Sequence, residues 1–186
     1  MQTLAQLQQA TIEVKHSRFH AFALPHAQMD AMLARCHRQH AKANHYCTAA
    51  RWVDEARMVH ESAKDDGEPG GTAGRPMLRE LQGGDWVNAG VIVVRYFGGT
   101  KLGTGGLARA YGSATRAALG AMAPMPFEFV SRTVIDIPFN ALDSVERLIK
   151  DRRLAVAARD YHPHGVRISL MGSEAAVAAV RQLVVQ

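Results

Sequence analysis

Cysteine is scarce in this 186-residue sequence, which contains only Cys36 and Cys47. No positively charged segment followed by an apolar stretch stands at the N-terminus, so the pattern of a secretory signal is missing. Without that signal, two cysteines do not predict a disulfide framework, and a reducing cytoplasm is the expected compartment. The longest apolar runs, such as residues 91–94, are far shorter than the roughly 20 residues that a membrane-spanning helix needs. We therefore expect a cytoplasmic protein without a membrane partner.

A strong excess of one charge is also missing, because the formal net charge is only +5 at pH 7. Charged residues make up 21% of the chain and hydrophobic residues 47%, which is an ordinary globular composition and not that of a disordered chain. The mild basic excess biases the surface towards anionic partners such as RNA, DNA, nucleotides or acidic proteins. The length allows one large domain or one medium and one small domain, and we favour the second.

The first part of the chain alternates predicted strands and helices around one long loop. Residues 11–25 predict two short strands or a hairpin, residues 27–40 an amphipathic helix, and residues 45–53 a strand. The glycine-, proline- and acid-rich segment from Asp54 to about Pro76 predicts a loop. A loop of this length inside a compact domain is usually functional or disordered.

A strand, a glycine-rich turn and a helix follow that loop. Residues 77–81 predict a short helix, and the β-branched run at residues 91–94 predicts a central strand covered on both faces. The segment GGTKLGTGG predicts a turn, and a helix is expected from Leu107. At 100° per residue, Arg109 and Arg116 lie together on this helix, opposite its apolar stripe.

The prolines at positions 124 and 126 indicate a link between two domains. Beyond them, residues 133–139, 154–161 and 166–171 predict strands, and residues 142–150 and 174–184 predict helices. This βαββα order is most of a ferredoxin-like unit. The sequence therefore predicts an α+β fold with an N-terminal domain at residues 1–126 and a small ferredoxin-like domain at residues 127–186.

The strand, glycine turn and helix can place backbone N–H groups and a positive helix end against an anion, with Lys101 and Arg109 beside it. A phosphate of a nucleotide or of a nucleic-acid backbone suits such a site. The alternative is that the glycines only permit a tight turn and close packing. The order of Thr100 and Lys101 does not match a P-loop, and Gly103 and Gly105 stand too far past the strand for a dinucleotide fingerprint.

The acidic part of the long loop allows two interpretations. Asp65, Asp66 and Glu68 could hold a hard cation or act as an acid and base pair, or they could cap turns in a solvated loop where Glu68 pairs with Arg75 or a neighbour. No potential nucleophile stands at a sequence spacing from a general base that is typical of a catalytic pair, so no catalytic residue is assigned. The histidines near Cys36 and Cys47 do not have the sequence spacing that is typical of zinc ligands. We predict no metal and no cofactor.

The stretch DDGEPGGTAGRPML, followed by GVIVVRYFGGTKLGTGGLARAYGSAT, resembles the signature region of the IMPACT family, and SRFHAFA and ANHYCTAARW are similar to its earlier blocks. The resemblance covers roughly residues 11–119. It implies an N-terminal domain like the second domain of ribosomal protein S-five and a C-terminal ferredoxin-like domain similar to one in translocating elongation factors. Eukaryotic relatives regulate translation initiation by competing for the co-activator of a translation-factor kinase, a pathway that bacteria lack.

The preferred hypothesis is a translation-associated binding and regulatory protein that contacts RNA, the ribosome or a translation partner through a basic, glycine-rich surface. The residues assigned to that surface are Arg75, Arg95, Gly98, Gly99, Lys101, Gly103, Gly105, Arg109 and Arg116. A second hypothesis is a metal-dependent enzyme acting on a phosphorylated small molecule or nucleotide, with the acidic loop holding the cation. A third is a protein adaptor in which both loops are structural.

Overall fold

The computed structural model describes residues 1–121 and 123–185, and the chain divides into two compact units, Met1–Phe127 and Glu128–Gln186. Each unit combines helices with a β-sheet and has a hydrophobic core of its own. The predicted mixture of helices and strands is therefore confirmed. In the described part of the chain, no helix combines the length and the apolar character that crossing a membrane requires.

The first unit is built on a five-stranded antiparallel sheet whose strand order is β2-β3-β6-β4-β5. The strands of this unit are β1 (Gln2–Thr3), β2 (Gln8–Val14), β3 (Ser17–Pro25), β4 (His45–Val53), β5 (Val59–Lys64), β6 (Ala89–Tyr96) and β7 (Met125–Pro126). The prediction that residues 91–94 form a central strand is confirmed, because β6 pairs with β3 and β4. Strands β1 and β7 form a separate ribbon, in which Gln2 lies opposite Pro126.

Helices cover both faces of this sheet. The helices of the first unit are α1 (Met29–Gln39), α2 (Gly74–Gly83) and α3 (Gly103–Leu119). Because side chains alternate along a strand, Val91 and Val93 of β6 pack with Tyr111 in the core under α2 and α3. Ile92 and its neighbours on the other side of β6 pack with Cys36 under α1. The sheet thus separates an α2–α3 face from an α1 face.

Three sequence-based boundaries were wrong. The predicted loop from Asp54 to Pro76 contains strand β5, and α2 and α3 begin at Gly74 and Gly103, earlier than expected. The segment VHESAK of β5 is polar and largely exposed, and its pairing with β4 makes it a strand despite its weak propensity. A Cβ added at Gly74 would lie 2.6 Å from the backbone nitrogen of Lys64, so glycine permits α2 to begin against β5.

The second unit has the predicted βαββα order. Its elements are β8 (Val130–Pro138), α4 (Leu142–Asp151), β9 (Ala155–His162), β10 (Gly165–Ser173) and α5 (Glu174–Val185). The three strands form an antiparallel sheet in the order β8-β10-β9. Val145 of α4 and Val177 of α5 are buried with Val166 and Ile168 of β10, so both helices share one core with the sheet.

Candidate functional site

Asp65 begins the acidic loop (residues 65–73) and holds it against the start of α2. Its Oδ2 accepts a hydrogen bond from the N–H of Gly71 at 2.7 Å, and its Oδ1 accepts from Ala73 and Gly74 at 2.9 Å each. These N–H groups stand where a helix lacks internal acceptors. Burial alone would raise the pKa of Asp65, but these hydrogen bonds and Arg75 hold that pKa below its ordinary value.

Asp66 connects the acidic loop to the beginning of β4. Its Oδ2 accepts a hydrogen bond from the N–H of Tyr46 at 2.7 Å, and its carbonyl oxygen lies 2.8 Å from Nδ1 of His45. The backbone of Asp66 and Gly67 is left-handed, with φ angles of 45° and 81°, so the chain turns sharply here. The Asp66 carboxylate is therefore engaged with the sheet.

Glu68 lies inside the first unit and is paired with Arg95 of β6. Glu68 is 8% exposed and Arg95 5% exposed, and Oε1 of Glu68 accepts hydrogen bonds from the Arg95 guanidinium and, at 2.7 Å, from the hydroxyl of Tyr111. Cys47 extends this network, since its Sγ lies 3.3 Å from Oη of Tyr111. Burial raises the pKa of the Cys47 thiol to about 12, so it remains protonated and is a poor nucleophile.

The three carboxylates of the acidic loop are thus directed at three different protein partners. Within residues 1–121 and 123–185, no group of three histidine, cysteine or carboxylate side chains is placed to hold a metal ion. The partner of Glu68 is Arg95 and not Arg75, which corrects the sequence-based pairing. Arg95, assigned to the basic surface by sequence, presents its charge to Glu68 inside the protein and not to an external anion.

The glycine-rich segment divides into a packed part and an exposed part. A Cβ added at Gly98 would lie 2.0 Å from the carbonyl carbon of His16, so Gly98 allows the end of β6 to pass close to the β2–β3 turn. Gly99 and Gly103 have φ angles of +85° and +70°, and a Cβ at either would meet no atom within 4 Å. Gly105 and Lys101 are exposed around the first turn of α3. The structure therefore assigns Gly98 to packing and leaves the others at the surface.

A groove of about 450 Å³ lies between α2 and α3. We call it the arginine groove, and the lining residues that enter the argument are Arg79, Glu80, Arg109, Gly112, Ser113 and Arg116. Arg109 and Arg116, placed on one side of α3 by helical spacing, line it together. Gly112 lies on its floor, where a Cβ would stand 3.4 Å from Oε1 of Glu80. A larger residue there would crowd the two helices.

The arginine groove holds one carboxylate and three guanidinium groups. Arg116 forms a two-bond pair with Glu80, at 2.9 Å from Nε and 2.6 Å from Nη2, which raises the pKa of Arg116. Among the residues that the structure describes, Arg79 and Arg109 have no carboxylate within ion-pair distance. Nη1 of Arg109 lies along the first turn of α3, 3.5 Å from where a Cβ of Gly105 would be. The groove therefore presents uncompensated positive charge.

Sequence reasoning missed Arg79. A signal for it exists, because Arg75 and Arg79 are separated by four residues in GRPMLRE and four residues bring side chains to one face of a helix. A helix predicted only from residue 77 leaves Arg75 outside it, so the prediction does not bring the two arginines to one helix face. Arg75 is exposed beside the acidic loop, where its Cδ lies 3.7 Å from the position of a Gly71 Cβ.

Residues 15–119, which contain the acidic loop and the arginine groove, match the family model described as the Impact N-terminal domain. This chain belongs to the IMPACT family. An IMPACT family member of Haemophilus influenzae is 44% identical over 58% of this chain and 53% of that protein, so the match spans about half of that relative's length. The IMPACT family member YigZ of Escherichia coli is 35% identical over 74% of this chain and 69% of YigZ.

A solved structure supports the same relationship. It is described as the crystal structure of an hypothetical protein, is 30% identical in sequence, and superimposes with a TM-score of 0.65 over 96% of this chain and 88% of that one. The resemblance to the IMPACT family that the sequence motifs indicated is confirmed, and it extends to bacterial members of the YigZ type.

Proposed function

We propose that this IMPACT family protein is a translation-associated regulatory protein that binds RNA of the translation machinery through the arginine groove. The observation that carries the proposal is the pair Arg79 and Arg109, whose guanidinium groups face the groove without a carboxylate partner. The net charge of +5 supports an anionic partner, and the family membership supports a role in translation. Lys101, just before α3, and Arg75, in the first turn of α2, are exposed, and the proposal includes both in the RNA-contacting surface.

Arginine suits this role because its planar guanidinium donates two parallel hydrogen bonds to a phosphate. No aromatic ring is among the described residues that line the arginine groove, so stacking of unpaired bases is not expected there. Contacts to phosphates fix position but carry little sequence information. The proposed site therefore recognises the backbone of structured RNA and not a base sequence.

We also infer that the first unit has the fold of the second domain of ribosomal protein S-five and that the second is ferredoxin-like. The family membership supports the first assignment. The antiparallel sheet β8-β10-β9 with two helices in its core supports the second. Such folds carry many functions, so the RNA proposal rests on the arginine groove and not on the folds.

The test compares two double charge reversals in the full chain. Arg79→Glu with Arg109→Glu reverses the free charges of the arginine groove, whereas Arg38→Glu with Lys42→Glu makes the same charge change on the α1 side of the sheet. Affinity for total ribosomal RNA and for transfer RNA is measured by fluorescence anisotropy at several salt concentrations. The groove variant should bind at least about tenfold more weakly. The slope of log affinity against log salt, which is negative, should become less steep by about 2, since two phosphate contacts are lost.

The control variant should bind within about twofold of the parent, since its reversals lie away from the proposed contacts. Equal losses in both variants would show that only net charge matters and would overturn the assignment of the groove. Unchanged affinity in the groove variant would overturn it as well. Ultraviolet crosslinking in cells, with sequencing of the attached RNA, then identifies which RNA is lost in the groove variant.

A further inference from the structure

A second cavity, of about 380 Å³, lies on the α1 face of the sheet, between α1 and the β2–β3 hairpin. We call it the histidine pocket. Its volume is within the range of small-molecule sites, which are usually clefts of roughly 300 to 1,000 Å³. The sheet separates it from the arginine groove, so its occupant is independent of the RNA proposed for that groove.

The floor of the histidine pocket is apolar. Phe22 of β3 and Met32 of α1 line it, and they are only 9% and 7% exposed because they also belong to the core under α1. Leu7, just before β2, adds a third apolar contact. A ligand with a flat hydrocarbon body could cover this floor and exclude water from it.

Two histidine rings lie beside that floor, and one nitrogen of each ring is hydrogen-bonded to a hydroxyl group. Nδ1 of His20 lies 2.9 Å from Oγ1 of Thr11, and Nδ1 of His40 lies 3.0 Å from Oη of Tyr96. The two rings are 5.3 Å apart, with 31° between their planes. Nε2 of each ring has no hydrogen-bond partner in the described part of the chain, so both nitrogens are free for a polar ligand atom.

The permanent charge of the histidine pocket comes from Arg35, and no carboxylate is among the lining residues that the structure describes. The Nε of Arg35 donates to Oε1 of Gln39 at 3.0 Å, which leaves its two terminal nitrogens for another acceptor. Burial lowers the pKa of His20, and His40 and Arg18 lower it further, so this ring adds little charge at neutral pH. One fixed positive charge is best matched by one negative charge on the ligand.

We propose that the histidine pocket binds a small monocarboxylate with a flat apolar body. The carboxylate pairs with the terminal nitrogens of Arg35, and the body lies on Phe22 and Met32. The free ring nitrogens of His20 and His40 supply further hydrogen bonds. Inorganic phosphate has no apolar body to cover Phe22 and Met32, and an amine would find no acidic partner among the described residues that line the pocket.

The experiment titrates the full chain at pH 7 with 3-phenylpropionate, with its neutral amide, and with inorganic phosphate. Binding is followed by the imidazole NMR signals of His20 and His40. The carboxylate should shift both signals to saturation, and the amide should bind about tenfold more weakly, since it loses the charged pair with Arg35. Equal binding of the amide, or phosphate binding as tight as that of the carboxylate, would overturn the assignment of the ligand class.

Three variants locate the site. Gln39→Glu places a competing carboxylate beside Arg35 and should abolish binding of 3-phenylpropionate, and Arg35→Gln should reduce its affinity to that of the amide. Arg38→Gln is the matched control, because it removes the same charge from α1 but outside the pocket. Thermal unfolding checks that each variant is folded. Unchanged affinity in Gln39→Glu and Arg35→Gln would overturn the proposal.

Discussion

The acidic loop and the arginine groove lie in the same unit and carry opposite charges, but the charged groups of the loop are paired inside the protein and two of those in the groove are not. Each carboxylate of the loop accepts hydrogen bonds from the protein, and Glu68 is buried with Arg95. In the groove, Glu80 pairs with Arg116 while Arg79 and Arg109 remain open. A sequence motif rich in charged residues can therefore indicate ion pairs and hydrogen bonds inside the protein as readily as a binding surface.

The largest expected effect on stability comes from removing one partner of the buried ion pair of Glu68 and Arg95. Glu68→Ala leaves the Arg95 guanidinium buried without a counter-charge, and we expect the free energy of unfolding to fall by about 3 to 5 kcal/mol. Urea unfolding of the purified chain measures this. Glu55→Ala, at an exposed position between β4 and β5, is the control and should change stability by less than about 0.5 kcal/mol. Similar stability of both variants would contradict a structural role for the acidic loop.

A smaller effect is expected at Asp65, with a distinct pH dependence. Asp65→Ala should lower stability at neutral pH by about 1 to 2 kcal/mol, because three hydrogen bonds are lost but the partly exposed carboxylate is screened by water. Since the pKa of Asp65 is lowered by folding, its contribution is present above the unfolded value of about 4 and is lost as pH falls through the folded value.

Urea unfolding at several pH values checks the Asp65 prediction. The stability curves of the parent and of Asp65→Ala should be separated at neutral pH and should approach each other as the pH falls below the unfolded pKa of about 4. Asp65→Asn removes the negative charge but keeps the size of the side chain and one acceptor oxygen. It therefore distinguishes the contribution of the charge from that of the side-chain shape. A constant difference across this range would show that the charge of Asp65 makes no contribution.

The smallest effect is expected at the one carboxylate of the arginine groove. Glu80→Gln releases Arg116 from its pair, so RNA affinity should rise by about two- to threefold at low salt while stability is nearly unchanged. Fluorescence anisotropy and urea unfolding measure the two properties on the same preparation. Glu61→Gln removes an equal charge on β5 and serves as the control. A fall in affinity in Glu80→Gln would mean that the pair itself positions the RNA.

The sequence predicted the elements that have a strong hydrophobic pattern. It did not predict the elements whose conformation depends on packing or pairing with neighbouring elements. Residues 91–94 were identified as a central strand because a β-branched run needs cover on both sides. Strand β5 was not, because VHESAK has little strand propensity and only its pairing with β4 fixes its conformation. The start of α3 at Gly103 was missed for a similar reason, since glycine disfavours helix unless packing compensates.

The residues of the candidate site were likewise predicted only in part. Helical spacing placed Arg109 and Arg116 together, and the groove contains both. Arg95 was assigned to the surface although strand alternation puts it on the same side as Val91 and Val93, which face the core under α2 and α3. No local pattern could have shown that Arg79 faces Arg109, because that depends on how α2 packs against α3.

The small ribbon of β1 and β7 has a consequence for the modularity of the protein. Because Gln2 lies opposite Pro126, the first unit starts and finishes at one place. Adjacent ends are the condition under which a folded module tolerates circular permutation or insertion into another chain. A short linker could join these ends, and the exposed turn at residues 54–58 could then be opened, with every strand of the five-stranded sheet still paired as it is now.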